Sequence, residues 1–276
     1  MLFVAALLRV QAAESSARAE FPFQFREGLL WIEVTVPQSE KRLNFLLDTG
    51  ASVSVLNLKT ARRLGLRLGA PVKVTGVGTS LTGFWPARLS AKANQIELPG
   101  KFLALDLSQL SGACSNAVDG LIGVDFFCDR VVQIDYRAQK LRVFDTPRRI
   151  VQGAEAVPLE TRRCGMRVKA SVNGQKGQWV RLDTGCAAGL QWVTTRVPSW
   201  NCTSKLAVGL TQLSIPQTTT SVKLGSQRLE GVETGLHREA IFPGECGLLG
   251  NGILARFGTV TIDAKAGQLY LGGLPE

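Results

Sequence analysis

The sequence predicts an all-β fold of two related lobes with a few short helices. Three observations carry that expectation. Short valine-, leucine- and threonine-rich runs stand where long helical periodicity would otherwise be. An internal repeat spans most of the chain. A stretch with two prolines and mixed charges, Asp145 to Pro158, divides the chain near its middle. With 276 residues, 45% of them hydrophobic, there is enough chain for two cores of ordinary domain size.

The repeat is visible in three places. Phe45-Leu46-Leu47-Asp48-Thr49-Gly50-Ala51 recurs as Val180-Arg181-Leu182-Asp183-Thr184-Gly185-Cys186. Asp119-Gly120-Leu121-Ile122-Gly123 recurs around Cys246-Gly247-Leu248-Leu249-Gly250. Gln133-Ile134-Asp135 with its following turn recurs as Thr261-Ile262-Asp263. The order is kept and the spacing changes little, so one half reads as a diverged copy of the other.

Taken in order, Met1–Leu8 is a short apolar run followed by small-residue sites near Ala13 and Ala19, so residues 1–20 read as a signal peptide or leader that lacks a basic n-region. Residues 21–148 form a first lobe, 149–157 a linker and 158–276 a second lobe. Within the first lobe, an alternating strand is expected from Leu29 to Val36, then a polar turn and a strand running into Asp48. Asn57 is placed to cap a short helix through Leu64, stopped by Gly65. A glycine-punctuated hairpin follows from Val72 to Trp85, then strands near Arg88–Leu98 and Phe102–Leu107, and a closing hairpin that turns at Arg137–Gln139. The second lobe repeats the string from Met166 to Leu271.

Charge and cysteine content bound the function classes. The net charge is +10, and seven basic residues lie between Arg137 and Arg163. Acidic residues are mixed among them and no aromatic pattern of nucleic-acid binding accompanies them, so they read as a solvated linker. No segment beyond the N-terminus approaches the length of a membrane span. Six cysteines, an even number, favour an exported protein, secreted or periplasmic; six buried thiols in the cytoplasm are the alternative.

The chemistry is carried by the two Asp-Thr-Gly triplets. One such triplet is weak evidence; two, each following apolar strand residues inside a repeat, are strong. Two carboxylates brought together in a shielded site cannot both ionise cheaply, so they share a proton. The ionised member can take a proton from water while the protonated member donates to a carbonyl under attack. Neither a metal nor a cofactor is needed. Glycine permits a tight turn beside the carboxylate, leaving amides free to donate to it.

At these residues the chain resembles the pepsin and retropepsin superfamily of aspartic proteases, and its short Asp-Gly-Leu-Ile-Gly form is similar to compact bacterial retropepsin-like proteins. The resemblance covers nearly the whole chain after Phe21. It implies a pair of pseudo-twofold-related β-barrel lobes, with Asp48 and Asp183 as catalytic residues of an aspartic endopeptidase. Thr49 and Thr184 are then expected to interlock beneath them, with Gly50, Ala51, Gly185 and Cys186 completing the loops. Leu121-Ile122-Gly123 and Leu248-Leu249-Gly250 are expected to run beside those loops and support them. The hairpin tip with Gly76, Val77 and Gly78 is expected to be the flap that closes over substrate. The implied partner is a peptide or protein in extended conformation, bound by a monomer.

Two departures stand out. The residue after the triplet is Ala51 in one copy and Cys186 in the other, where pepsin-like enzymes carry a hydroxyl that can donate to the dyad. Alanine offers no donor and a thiol only a weak one, so the ionised aspartate is expected to be less stabilised than in the hydroxyl-bearing enzymes. The flap candidate also lacks a tyrosine; the two in the chain are Tyr136 and Tyr270.

Other chemistries fit less well. The single histidine, His237, reads as a surface residue, and no Gly-x-Ser-x-Gly elbow accompanies it. The cysteines never come as close pairs of zinc-ligand spacing; a bridge within the second lobe, such as Cys202 to Cys246, is one of their fifteen possible connectivities. Cys186 reads as a small buried filler, with a redox-sensitive thiol as the alternative. A non-catalytic two-lobed protein that binds peptides in the same cleft is the second functional reading.

Overall fold

The computed structural model describes residues 17–76, 79–144, 153–162, 165–194, 203–208 and 212–272. Its two lobes are joined by six antiparallel strands in the order Ala19–Pro22, Lys140–Phe144, Val131–Asp135, Thr259–Asp263, Gln268–Leu271 and Glu155–Arg162. At the centre of this array Val131 faces Asp263, Gln133 faces Thr261 and Asp135 faces Thr259. Gln133 thus lies opposite its own counterpart in the repeat, and its Nε2 donates to Thr261 Oγ1 at 3.1 Å. A residue that faces its own copy is what a two-fold axis between two strands produces. The duplication seen in sequence is therefore a pseudo-twofold in space. Val132, Ile134, Val260 and Ile262, fully buried, carry the core across the joint.

Each half contributes the same set of strands around the site. In the first lobe, Leu29–Val36 pairs with Ser39–Leu47, placing Trp31 opposite Leu46 and Ile32 opposite Phe45. Alternation splits this pair between two apolar clusters. Leu30, Ile32, Val34, Phe45 and Leu47 face the main core, and Leu29, Trp31 and Leu46 face a second cluster with Val55, Leu103, Leu105, Val118 and Leu121. Both faces are covered where the runs are unbroken, at Leu29–Ile32 and Phe45–Leu47, while the exposed Glu33 and Thr35 and the polar start Ser39–Arg42 lie toward the far end of the pair. In the second lobe, Gly165–Val172 pairs with Gln178–Leu182 and, at its other edge, with the long strand Gln212–Leu224, so the sheet turns back on itself.

The expected capping by Asn57 is present. The helix is Leu58–Arg63, Asn57 Oδ1 accepts from Lys59 N at 3.1 Å, and the chain leaves through Gly65 at φ 67°. The hairpin expected at Val72–Trp85 is Ala70–Gly76 with Thr79–Arg88, in a register that pairs Gly76 with Thr79. Val77 and Gly78, the rest of the expected flap tip, lie outside the described residues. Val72, Val74, Leu81 and Trp85 fasten this hairpin to the second apolar cluster.

Two local expectations are corrected. The strand expected at Arg88–Leu98 is broken into Lys92–Ala93 and Ile96–Glu97 by a turn at Asn94, which adopts φ 53°. A helix that the periodicity did not signal, Ser108–Ala113, follows Lys101–Leu105, with Asp106 Oδ1 accepting from Ser108 N. Of the expected leader, residues 1–16 lie outside the described residues; Ala19 and Glu20 already belong to a strand. Of the expected linker, 149–152 lie outside them, and Glu155 begins the strand that mirrors Ala19–Pro22. Cys164 and Cys202 also lie outside them; Cys114, Cys186 and Cys246 carry free thiols.

Candidate active site

Two loops meet on the pseudo-twofold, and each is built the same way. The strand Ser39–Leu47 ends at Asp48, the chain loops through Thr49–Gly50–Ala51 and returns as Val55–Asn57. The strand Gly120–Ile122 slots between these two arms, parallel to the first and antiparallel to the second. Its Ile122 carbonyl accepts from Asp48 N at 2.9 Å, and Ala51 O accepts from Val124 N at 2.9 Å. In the second lobe, Gly247–Leu249 runs between Gln178–Leu182 and Leu190–Val193; Asp183 N donates to Leu249 O at 3.0 Å and Asn251 N to Cys186 O at 2.8 Å. The two apolar-apolar-glycine elements thus support the loops as the resemblance implied. They supply backbone partners that an irregular buried loop could not find within itself.

Beneath the aspartates the threonines interlock. Thr49 N donates to Thr184 Oγ1 at 3.0 Å and Thr184 N to Thr49 Oγ1 at 3.0 Å. Each hydroxyl then donates onward across the interface, Thr49 Oγ1 to Leu182 O and Thr184 Oγ1 to Leu47 O, both at 2.8 Å. Both residues are wholly buried. Each hydroxyl accepts once and donates once, so four backbone groups that would otherwise be orphaned are satisfied by two side chains.

Above this lock Asp48 and Asp183 face each other and share a hydrogen bond. The glycines have a more specific task than tight turning, for neither adopts a positive φ. A Cβ on Gly50 would stand 2.5 Å from Asp183 Oδ1, and one on Gly185 would stand 2.5 Å from Asp48 Oδ1. Each glycine therefore clears the space that the opposite carboxylate occupies. Asp48 Oδ1 accepts from Gly50 N at 2.9 Å and Ala51 N at 3.1 Å. Asp183 Oδ1 accepts from Gly185 N at 2.9 Å. Burial raises both carboxyls above the usual range for an aspartate, and the negative charge on Asp48 raises Asp183 further. The pair holds a proton at pH values where a lone aspartate has lost it.

Cys186 is half-buried beside Asp183, and burial pushes its thiol pKa up, so it is held protonated. Its Sγ lies 4.0 Å from Ala188 O, the reach of a weak thiol hydrogen bond. His237 proves half-buried, not a surface residue, with Nε2 2.7 Å from Gln191 Oε1, and burial lowers its pKa.

Three residues at the site were not singled out by the sequence. Asn251 Nδ2 donates to Thr184 O at 2.6 Å and to Gly28 O at 2.8 Å, while its Oδ1 accepts from Tyr136 OH at 2.9 Å. This fully buried amide ties the second loop to the first lobe. Arg181, two residues before Asp183, forms a fork with Glu245: Nε to Oε2 at 2.8 Å and Nη2 to Oε1 at 3.1 Å. The signal for both members was in the repeat. Where Arg181 and Glu245 stand in the second copy, the first carries Leu46 and Val118. A charge at an apolar repeat position is the mark to look for.

The fold and the paired loops together give the chain the two-lobed architecture of an aspartic protease. An aspartyl protease family model matches residues 32–126, which include the first triplet and its supporting strand. Among solved structures, the chain is similar to the aspartic proteinase from Irpex lacteus, with a TM-score of 0.58 and 13% identity over 93% of this chain and 97% of that one. No curated protein sequence matches. The family model and the structural match support the pepsin and retropepsin-like aspartic protease superfamily.

Two outcomes follow for stability. Thr184→Val leaves Thr49 N and Leu47 O buried without partners, and should cost about 2–4 kcal/mol in urea unfolding, with Thr184→Ser recovering most of it; a valine variant within about 0.5 kcal/mol of the parent would refute the lock. Asp183→Asn should act in the opposite direction at neutral pH. The folded pair titrates above the ordinary aspartate value of 3.8. The stability it contributes is complete below that value and is lost as pH rises through the raised folded value. Asparagine never ionises, so the variant should melt a few degrees higher than the parent at pH 7. The gap should close as the pH approaches 3.8, which calorimetry across that range will show.

Proposed function

We propose that this protein is an aspartic endopeptidase, in which water held between Asp48 and Asp183 attacks the carbonyl of a peptide bond. The observation that carries this reading is the pair of facing carboxyls, each cleared for the other by a glycine and each raised by burial. Nothing in the packing of the lobes calls for two acids at the centre of the interface, where burial works against their charge. Two groups of one chemical type whose environments differ are what acid–base catalysis needs. The ionised carboxylate draws a proton from the water as its oxygen adds to the carbonyl carbon, and the protonated carboxyl gives its proton to the carbonyl oxygen. The resulting gem-diol then collapses. The carbon–nitrogen bond breaks, the amine leaves with a proton and the new carboxyl group remains. The substrate is a peptide or protein segment in extended conformation, and the hairpin of Ala70–Gly76 with Thr79–Arg88 is the flap that covers it.

The alternative of a non-catalytic peptide-binding protein makes the same cleft but needs no dyad. Asp48→Asn and Asp183→Asn should each reduce hydrolysis of a mixed peptide library by about 10²–10⁴-fold or more. The double variant should be no worse than either, since the groups act as a unit. Retention of most activity by either variant would exclude the two-aspartate mechanism. Both aspartates come from one chain, so specific activity should stay constant on dilution; a decline that tracks dissociation of a dimer would show that the site is assembled between chains.

A further inference from the structure

The pseudo-twofold is broken on one buried face of the second lobe. In the first lobe the strands that carry the site present Trp31, Leu46, Val55 and Val118 to the second apolar cluster. The corresponding positions of the second lobe, fixed by strand register, are Arg167, Arg181, Gln191 and Glu245. All four are buried. An apolar patch in one lobe is an ionic network in the other.

Arg181 is the member of that network that reaches the site. Its guanidinium is clamped by the fork with Glu245, lies with Cζ 3.6 Å from the centre of the Phe242 ring, and occupies the space beside Gly165 that a Cβ would fill. Its remaining arm, Nη1, crosses to the first lobe and donates to Gly50 O at 3.1 Å. That carbonyl belongs to the same peptide group whose N–H, on Ala51, donates to Asp48 Oδ1. A cation bonded to the oxygen of an amide polarises it and strengthens its N–H as a donor. In the mirrored direction the residue is Leu46, which can donate nothing. Cys186 N donates to Asp183 O at 3.2 Å, as Ala51 N does to Asp48 O at 3.2 Å, but among the described bonds only Ala51 N also reaches its carboxylate, and Asp183 Oδ1 accepts from Gly185 N alone. Asp48 also keeps more accessible surface than Asp183.

We propose that Arg181, held by Glu245, is a positioning residue that polarises the Gly50–Ala51 peptide toward Asp48, and so makes Asp48 the ionised and Asp183 the protonated member of the dyad. It takes the place of the hydroxyl that Ala51 lacks. The inference rests on reading the dyad as catalytic and divides the labour within it: Asp48 takes the proton from water and Asp183 donates to the carbonyl. The charged groups facing Arg181 are Glu245 and the two aspartates, with Arg167 opposite it on the neighbouring strand, itself paired to Glu160 at 2.9 Å. The field of Arg181 favours the charged form of both aspartates.

Two variants with opposite signs test this. Replacing the pair with the residues the first lobe carries, Arg181→Leu with Glu245→Val, keeps a packed interior, since apolar substitutes for a buried ion pair are often neutral or stabilising. The acid limb of kcat/KM should move to higher pH, on the order of half to one unit. Glu245→Gln leaves the cation without its counter-charge, and the limb should move to lower pH. A residue that only supported the fold would lower activity without moving the limb in opposite directions. Carboxyl NMR titration of aspartate-labelled protein supplies a readout without turnover: the lower of the two macroscopic values should shift with the same signs, and in the parent it should report from Asp48. Hydrolysis with an unmoved limb and unmoved titrations would overturn the proposal while leaving the protease reading intact. Correctly signed titrations in a protein without peptidase activity would do the reverse.

Discussion

The structure depends on holding two carboxyl groups against each other where water cannot fully solvate them. Left alone, two acids in such a place would push the lobes apart or stay protonated. Everything near them answers that demand. The threonine lock fixes the two loops to each other, the glycines clear room for the opposing oxygens, and loop amides supply donors to whichever carboxylate is charged. The crossing strands Gly120–Ile122 and Gly247–Leu249 satisfy the loop backbones from behind. The six-stranded joint, with Gln133 against Thr261, then sets the lobes in a relation that brings copy to copy.

That constraint also explains why stability and chemistry pull in different directions here. The pair stays partly protonated because burial makes its charge costly, and a costly charge is destabilising at neutral pH. The threonine bonds, by contrast, add stability without being titratable. A site of this kind needs a rigid frame because its paired carboxyls oppose folding, and the fully buried lock and the apolar joint supply that frame.

Much of the fold could be read from the repeat. Strands were legible where one pattern served both sequence and burial, as from Leu29 to Leu47 and from Val131 to Phe144. The cap at Asn57 was legible because its side chain acts within three residues. The break at Asn94 and the helix Ser108–Ala113 were not, since a positive φ at asparagine and a helix with no buried residue leave no periodic trace. The same division holds at the site. Asp48, Thr49, Asp183 and Thr184 were visible as a repeated motif. The reason for the glycines was not, because it lies in a contact across the interface: Gly50 answers to Asp183, 133 positions away in sequence. Asn251 and Tyr136 meet only once the lobes are joined, and no local pattern links them.

The duplicated architecture supplies two like acids, and like acids cannot divide a proton usefully. On the proposed protease reading, hydrolysis needs one of them as base and the other as acid, so the symmetry that builds the site has to be broken at it. Here the loops themselves differ little: alanine in one and cysteine in the other, neither a strong donor. The larger difference lies one layer behind, where Arg181 and Glu245 replace Leu46 and Val118. A buried ion pair contributes little net stability compared with the apolar residues that fill the same place in the other lobe, so stability alone does not account for it. Among the described hydrogen bonds, its contact across the interface falls on Gly50 O, in the same peptide group as the donor to Asp48. On the proposed division of labour, the second lobe reaches behind the first lobe's loop to bias the first lobe's acid, and Asp48 and Asp183, alike in sequence, are unlike in surroundings.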